Sequence, residues 1–267
     1  MIYLSGAKIR VGLVKEIIDA TFYTHPVSFD EHKVCPDVLR NLGVLTACGL
    51  KVKSKDLEIW FDGQDVFHAK KLLGNFGEGR IKVAVGIGAN DPQRKYPIEK
   101  YLVAFKEIIE KGASLIIIGG PSELDDAKFL ENNLPEGSVK NLVEVGAGWR
   151  VDVAAMSLTD MYIGNFTGAC DIAAALKKPV IILTPVAKDR KEKFPDIVTE
   201  LEIYHPWKTN SIVLQPEHQL GKCTEDSEFT GCSAGKSHCI AQIEPSEIVR
   251  AFDDMIYFKK TIRFKEC

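Results

Sequence analysis

The segment Met161–Pro185, MYIGNFTGACDIAAALKKPVIILTP, sets a glycine-bearing turn between a short apolar strand and a helix, with a second apolar strand behind it. Such a turn points backbone N–H groups and the positive end of a helix dipole at one spot, which is how a protein holds a phosphate. Three strand ends carry glycines in this way: Gly86-Ile87-Gly88-Ala89, Gly119-Gly120-Pro121 and Gly164-Asn165-Phe166-Thr167-Gly168. Any one of them is accounted for by a tight strand-to-helix turn. Three in register at one sheet edge point to a crevice for a phosphate-bearing ligand. None matches the P-loop or a full G-x-G-x-x-G fingerprint, which argues against a P-loop nucleotidase or an ordinary dehydrogenase.

Other residues add chemistry to these ends. Asp91-Pro92-Gln93-Arg94-Lys95-Tyr96-Pro97 puts two cations in a loop before a helix. Arg94 can pair bidentately with a diphosphate; a solvated charge pair explains the same residues. Thr167 can cap the following helix and donate its hydroxyl to a phosphate oxygen. Asp91, Asp160 and Asp171 are candidate acid–base carboxylates by their nearness to strand ends, although such residues often serve as caps. Cys223, Cys232 and Cys239, with His238, lack the C-x2-C knuckle of structural zinc, so free thiols are expected there and no metal. No Ser-His-Asp or Cys-His constellation can be argued.

Composition bounds the function class. A chain of 267 residues with 45% hydrophobic and 27% charged residues has room for a substantial core in one or two domains. A formal net charge of -3 without a basic run gives no electrostatic footprint for nucleic acid. The longest apolar runs, Leu115–Ile118 and Val180–Leu183 among them, are too short to cross a bilayer, and the N-terminal residues lack the pattern of a signal peptide. Seven scattered cysteines suit a reducing compartment. A soluble cytoplasmic protein is expected.

From Ile81 onward, β-type runs alternate with helical patterns. IKVAVGI (81–87) and SLIIIGG (114–120) read as strands. Between them Pro97 opens a helix with Ile98, Leu102, Phe105, Ile108 and Ile109 on one face and Gly112 as its stop. Ser122 and Asp125 can cap the next helix. NLVEV, Val151–Leu158, MYIG, Asp171–Leu176 and PVIIL continue the alternation. Apolar strands separated by helices imply a doubly wound, Rossmann-like parallel sheet over residues 78–255. Residues 1–77 read as a partial α/β domain and linker, with strands in KIRVGLV and ATFYTHPV and a helix over Val34–Leu42. Exposed strand edges there predict self-association. After Pro206 the chain reads as irregular until a helix from Pro245, with Ile248, Val249, Phe252 and Ile256 on one face; residues 256–267 read as a tail.

With these segments in view, the chain resembles glycosyltransferase family nine, the ADP-heptose:lipopolysaccharide heptosyltransferases. The resemblance runs in order through IGANDPQRKYPIEKY, LIIIGGPSE, TDMYIGNFTGACDIAAALKKPVIILTP, YHPWKTNSIVLQP and SHCIAQIEPSEIV. It implies the GT-B architecture, two Rossmann-like domains with the active site between them, the second binding the nucleotide sugar. It also implies metal-independent, cofactor-free, inverting transfer from an ADP-sugar to a lipid-linked glycan acceptor, at the inner face of the cytoplasmic membrane. By resemblance Arg94 stands where the family places a phosphate-binding lysine, and Thr167 and Gly168 where it cradles the diphosphate. Gly119, Gly120 and Glu123 fall in its GGPxE pattern. Gly88, Ala89, Lys95, Asn165 and Asp171 complete the expected donor-binding set.

The sequence departs from the family pattern in three places. The opening strand and glycine–aspartate loop that carry the family's catalytic aspartate have no counterpart, which leaves the catalytic residue unassigned. The alternative expectation is therefore a truncated or diverged nucleotide-sugar-binding module without the chemistry. The usual G-N-D-S-G reads Gly164-Asn165-Phe166-Thr167-Gly168, and the usual histidine of the helix's first turn is Asp171. At ~5 Å and an effective dielectric of ~20, an ionised Asp171 would repel each phosphate charge by roughly 3 kcal/mol before screening. Pointed at the donor, it would weaken binding about a hundredfold or more. Bridging a cation or pointing away, it would escape that penalty.

Overall fold

Val- and Ile-rich runs alternating with amphipathic helical segments set the framework. A computed structural model describes it for residues 5–14, 21–28, 35–193, 198–220 and 236–261. Strands β3 (Ile81–Gly86), β4 (Ala113–Ile118), β5 (Val139–Asn141), β6 (Met161–Asn165), β7 (Val180–Leu183) and β8 (Ser211–Leu214) form one sheet. Its order is β5-β4-β3-β6-β7-β8, and every neighbouring pair is parallel. This is the order of the doubly wound dinucleotide-binding fold, with the chain reversing direction across the sheet between β3 and β6. Upstream, β1 (Val11–Val14) and β2 (His25–Ser28) form a separate parallel pair, followed by helix α1 (Asp37–Ala47).

Side chains alternate between two cores, as the pleat demands. Val83, Val85, Leu115 and Ile117 face one side, where Tyr101 and Phe105 of α3 (Ile98–Glu110) and Ile248 and Phe252 of α10 (Pro245–Thr261) cover them. Ala84, Ile116, Tyr162 and Ile182 face the other side. There they meet α2 (Gly63–Leu73), α6 (Trp149–Ser157) and α7 (Gly168–Ala175). Burial on both faces explains why β4 is apolar almost without interruption, each large aliphatic side chain contributing about 1.5–3 kcal/mol.

The remaining helices are α4 (Leu124–Asn133), α5 (Leu142–Val145), α8 (Arg190–Lys193) and α9 (Glu200–Tyr204). Four local expectations need correction. NLVEV is not one run of strand: β5 ends at Asn141, whose side chain accepts from Glu144 N at 3.3 Å and caps α5. Helix α4 has no side-chain cap from Ser122 or Asp125; the Glu123 carboxylate instead accepts from Gly120 N at 2.8 Å and closes the 3-10 turn Pro121–Glu123 that leads into the helix. The stretch after Pro206 is not irregular throughout, because Ser211–Leu214 adds the edge strand β8. Helix α2 was not anticipated at all. Asp62 accepts from Gln64 N and Asp65 N, while Asp65 accepts from Asp62 N, a reciprocal box built from two aspartates. Ala69 and Leu73 of α2 are buried in the second core.

Residues 35–61 leave Leu45, Leu50 and Trp60 exposed, Trp60 at 78%. No helix among the described residues is long and apolar enough to cross a membrane.

Candidate functional site

The strand ends at the reversal between β3 and β6 are where an open α/β sheet forms its crevice. Gly86 and Gly164 lie opposite one another in the register of β3 and β6. A Cβ at Gly86 would come within 2.1 Å of the Tyr162 hydroxyl, and one at Gly164 within 2.4 Å. These two glycines therefore make room for a buried tyrosine; their role is close approach and not a left-handed turn. Gly88 has a similar constraint, since its Cβ would lie 2.6 Å from the Glu123 carboxyl carbon.

A cavity of about 560 Å³ opens over these ends. Gly86, Gly88, Ala89, Asn90, Asp91 and Arg94 line it from the β3 side, Gly119, Gly120, Ser122 and Glu123 from the β4 side, and Thr167, Gly168 and Ala169 from the β6 side. All three glycine-bearing ends thus meet in one cleft. Thr167 precedes α7 in extended backbone, and its hydroxyl makes no capping bond. The N-terminal amides of α7 and the positive end of its dipole are consequently turned toward the cleft. Arg94, at the end of a short 3-10 turn, lines the cleft and pairs with Glu200, which does not line it, and its Nε lies 3.4 Å from Asp91 Oδ2.

Three expected residues lie elsewhere. Lys95 turns away to pair with Asp126 at 2.5 Å. Asn165 is fully buried beneath the cleft; it accepts from Tyr101 Oη at 2.9 Å and Tyr96 N at 3.2 Å, and donates to Ile87 O and Gly88 O. Asp171 lines neither cavity. Its carboxyl is lifted to about 6 by desolvation first and the charge of Asp37 second. Phe166, at the motif position usually polar, is 7% exposed and packs into the second core.

A second cavity, of about 450 Å³, adjoins the first through shared Ile118, Gly119, Gly120 and Ala169. Its lining is apolar, from Leu142 and Val143 through Met156 and Ile172, with Trp149 and Asp152 of α6 added. Trp149 is 62% exposed, and burial raises Asp152 to about 6. None of Trp149, Asp152 and Glu200 belongs to a motif that marks it as a site residue. The signal available was the i, i+3 spacing of Trp149 and Asp152, which puts them on one helix face.

Asp160 is structural, accepting from Lys82 N at 3.0 Å. Cys223 and Cys232 lie outside the described residues. Cys239 is buried, and the described residues contain no cluster of metal-ligating side chains.

The fold is shared with several solved structures. E. coli ADP-heptose LPS heptosyltransferase II superposes with a TM-score of 0.70 at 15% identity, covering 96% of this chain and 72% of that one. The glycosyl transferase family 9 protein from Veillonella parvula DSM 2008 gives a TM-score of 0.74 at 17% identity, covering 95% and 68%. E. coli heptosyltransferase WaaC with ADP gives 0.58 at 15% identity, covering 92% and 65%. At these identities the likeness shows the GT-B heptosyltransferase fold. No curated protein sequence matches the chain. The model of glycosyltransferase family 9 (heptosyltransferase) matches residues 1–228, and the chain belongs to that family of glycosyl-transfer enzymes.

Proposed function

We propose that the two adjoining cavities receive a nucleoside-diphosphate sugar, with ADP-heptose as the donor, and that the sugar passes to a lipopolysaccharide core or related cell-envelope glycan. The observation that carries this is the junction at Gly119-Gly120. A polar cleft faced by a helix N-terminus and an arginine continues there into an apolar chamber. Diphosphate and base have those two opposite requirements.

In this assignment the acceptor hydroxyl, deprotonated by a carboxylate, attacks the anomeric carbon. The bond to the diphosphate oxygen breaks with its electron pair leaving on the diphosphate. Arg94, the Thr167 hydroxyl and the α7 amides stabilise that charge without a metal. The acceptor is lipid-linked, which would bring the protein to the inner face of the cytoplasmic membrane.

The test is calorimetric titration with ADP, UDP and GDP. Micromolar binding of one diphosphate, weakened about tenfold or more by Arg94→Ala, is the expected result. A folded protein that binds none of them ends the proposal. A second reading, a nucleotide-sugar-binding module without transfer, is favoured by the engagement of Arg94 with Glu200 and by the burial of Phe166. Binding without turnover of any sugar donor and acceptor would select it.

A further inference from the structure

Among the described residues, Asp152 is the one ionisable side chain lining the apolar cavity. It has no hydrogen-bond or ion-pair partner among the described residues, and its Oδ1 is buried. An orphaned carboxylate in an apolar wall calls for a reason, because buried polar groups are nearly always satisfied. Helix capping does not supply one: Asp152 lies in the first turn of α6, yet that helix has no side-chain capping bond. The neighbouring cation does not supply one either, since Arg150 is committed to Asp62 and Asp65 of α2, at 3.1 and 2.7 Å.

One turn earlier on the same helix face, Trp149 presents an exposed indole to the same cavity. A flat apolar ring with an acceptor beside it matches a heterocycle that stacks on one side and donates from its edge.

We propose that Asp152 selects the donor's base, accepting a hydrogen bond from the amino group of an aminopurine stacked on Trp149. This rests on the nucleotide-sugar assignment of the two cavities. Adenine and guanine each carry an exocyclic amino donor. Uracil turns two carbonyl oxygens toward any group facing its N3–H, which a carboxylate repels. Purine riboside has no amino group and leaves the carboxylate unpaired. Burial has already raised Asp152, as expected of a carboxyl lacking its partner.

The experiment titrates the full chain and its Asp152→Leu, Asp152→Asn and Arg94→Ala variants with ADP, GDP, UDP and purine riboside diphosphate. ADP or GDP should bind the unaltered chain about tenfold or more tighter than UDP and purine riboside diphosphate. Asp152→Leu should abolish that preference, while Asp152→Asn, which keeps a carbonyl acceptor, should retain part of it. Quenching of indole emission by the preferred diphosphate should disappear in Trp149→Leu. Equal affinity for all four ligands, abolished throughout by Arg94→Ala, would overturn the role of Asp152 and leave the diphosphate site standing. A preference that persists in Asp152→Leu would overturn it too. If no diphosphate binds, the site assignment and this inference fall together.

Discussion

The guanidinium of Arg94, which lines the polar cleft, is bonded to the carboxylate of Glu200, 106 residues further along the chain. Both side chains are about one-fifth exposed, and Asp91 flanks the same guanidinium at 3.4 Å. The cation best placed to meet a diphosphate is therefore already neutralised by protein carboxylates. A phosphate entering the cleft must share Arg94 with Glu200 or displace it.

Removing that competitor should strengthen binding. Glu200→Gln is expected to tighten the dissociation constant for a nucleoside diphosphate about two- to fivefold, the range of a partly exposed ion pair. The gain should shrink as salt is raised from low ionic strength. Titrating both proteins at two salt concentrations checks this. Weaker binding by Glu200→Gln would instead mean that Glu200 holds Arg94 in its productive geometry.

How much of this was legible in the residues depended on whether a feature was local. The buried strands announce themselves because both faces are covered, so β4 is written in consecutive aliphatics. The glycines at 86, 88 and 164 were legible as a cluster, although the reason for two of them, space for the Tyr162 hydroxyl, comes from packing across strands. Helix α2 was missed because its box uses aspartate at both positions in place of the usual Ser/Thr and Glu/Gln. Strand β8 was missed because four residues at a sheet edge carry little pattern. Glu200 owes its place beside Arg94 to tertiary contact 106 residues away, which no spacing along the chain encodes; the spacing of Trp149 and Asp152 puts them on one helix face but does not show that the face lines a cavity.

Phe166 fills the second core at the position where the family motif is usually polar. Truncation to Ala leaves a cavity that its neighbours cannot fully close. Phe166→Ala should destabilise the protein by about 3 kcal/mol and lower Tm by about 6–12 °C. Phe166→Asp should be worse, because it buries a charge without a partner. Thermal unfolding of both variants settles the order. If Phe166→Asp is the more stable of the two, the side chain at 166 reaches the cleft and not the core.

Asp152 and Asp171 are both raised to about 6 from an ordinary carboxyl value, by burial first, with Asp37 adding to Asp171. A carboxyl whose folded pKa is raised binds more protons in the native state than in the unfolded state. Stability from these groups is therefore fully present only below the unfolded value of 3.8 and is lost as pH rises through about 6. Asp152→Asn removes the penalty of ionisation. Above pH 6 it should stabilise the unliganded protein by about 1–2 kcal/mol, after discounting for solvent screening. Asp171→Asn should shift stability in the same direction with a smaller effect, because that residue keeps more of its surface in solvent than Asp152 does. Denaturant unfolding at pH 4, 6 and 8 tests both; a variant effect that is flat with pH would show that the carboxyl titrates normally.

Asn165 joins the sheet to the cleft. Its amide gathers Tyr96 N and the Tyr101 hydroxyl on one atom and donates from the other to Ile87 O and Gly88 O, bracing the loop that leaves β3. Asn165→Leu keeps the branched shape and heavy-atom count but has no polar atoms, so it strands a buried amide, a buried hydroxyl and two carbonyls at once. The expected loss is about 2–4 kcal/mol, since each unsatisfied buried group costs more than a hydrogen bond gains. The same substitution loosens Gly88 against Glu123, where less than the width of a methyl group separates backbone from carboxyl. Diphosphate affinity should therefore fall in Asn165→Leu although the residue touches neither cavity. Measuring unfolding and titration on the one variant separates two outcomes: lost stability with unchanged affinity would make Asn165 a brace for the core alone, whereas a loss in both would tie the shape of the cleft to this one buried amide.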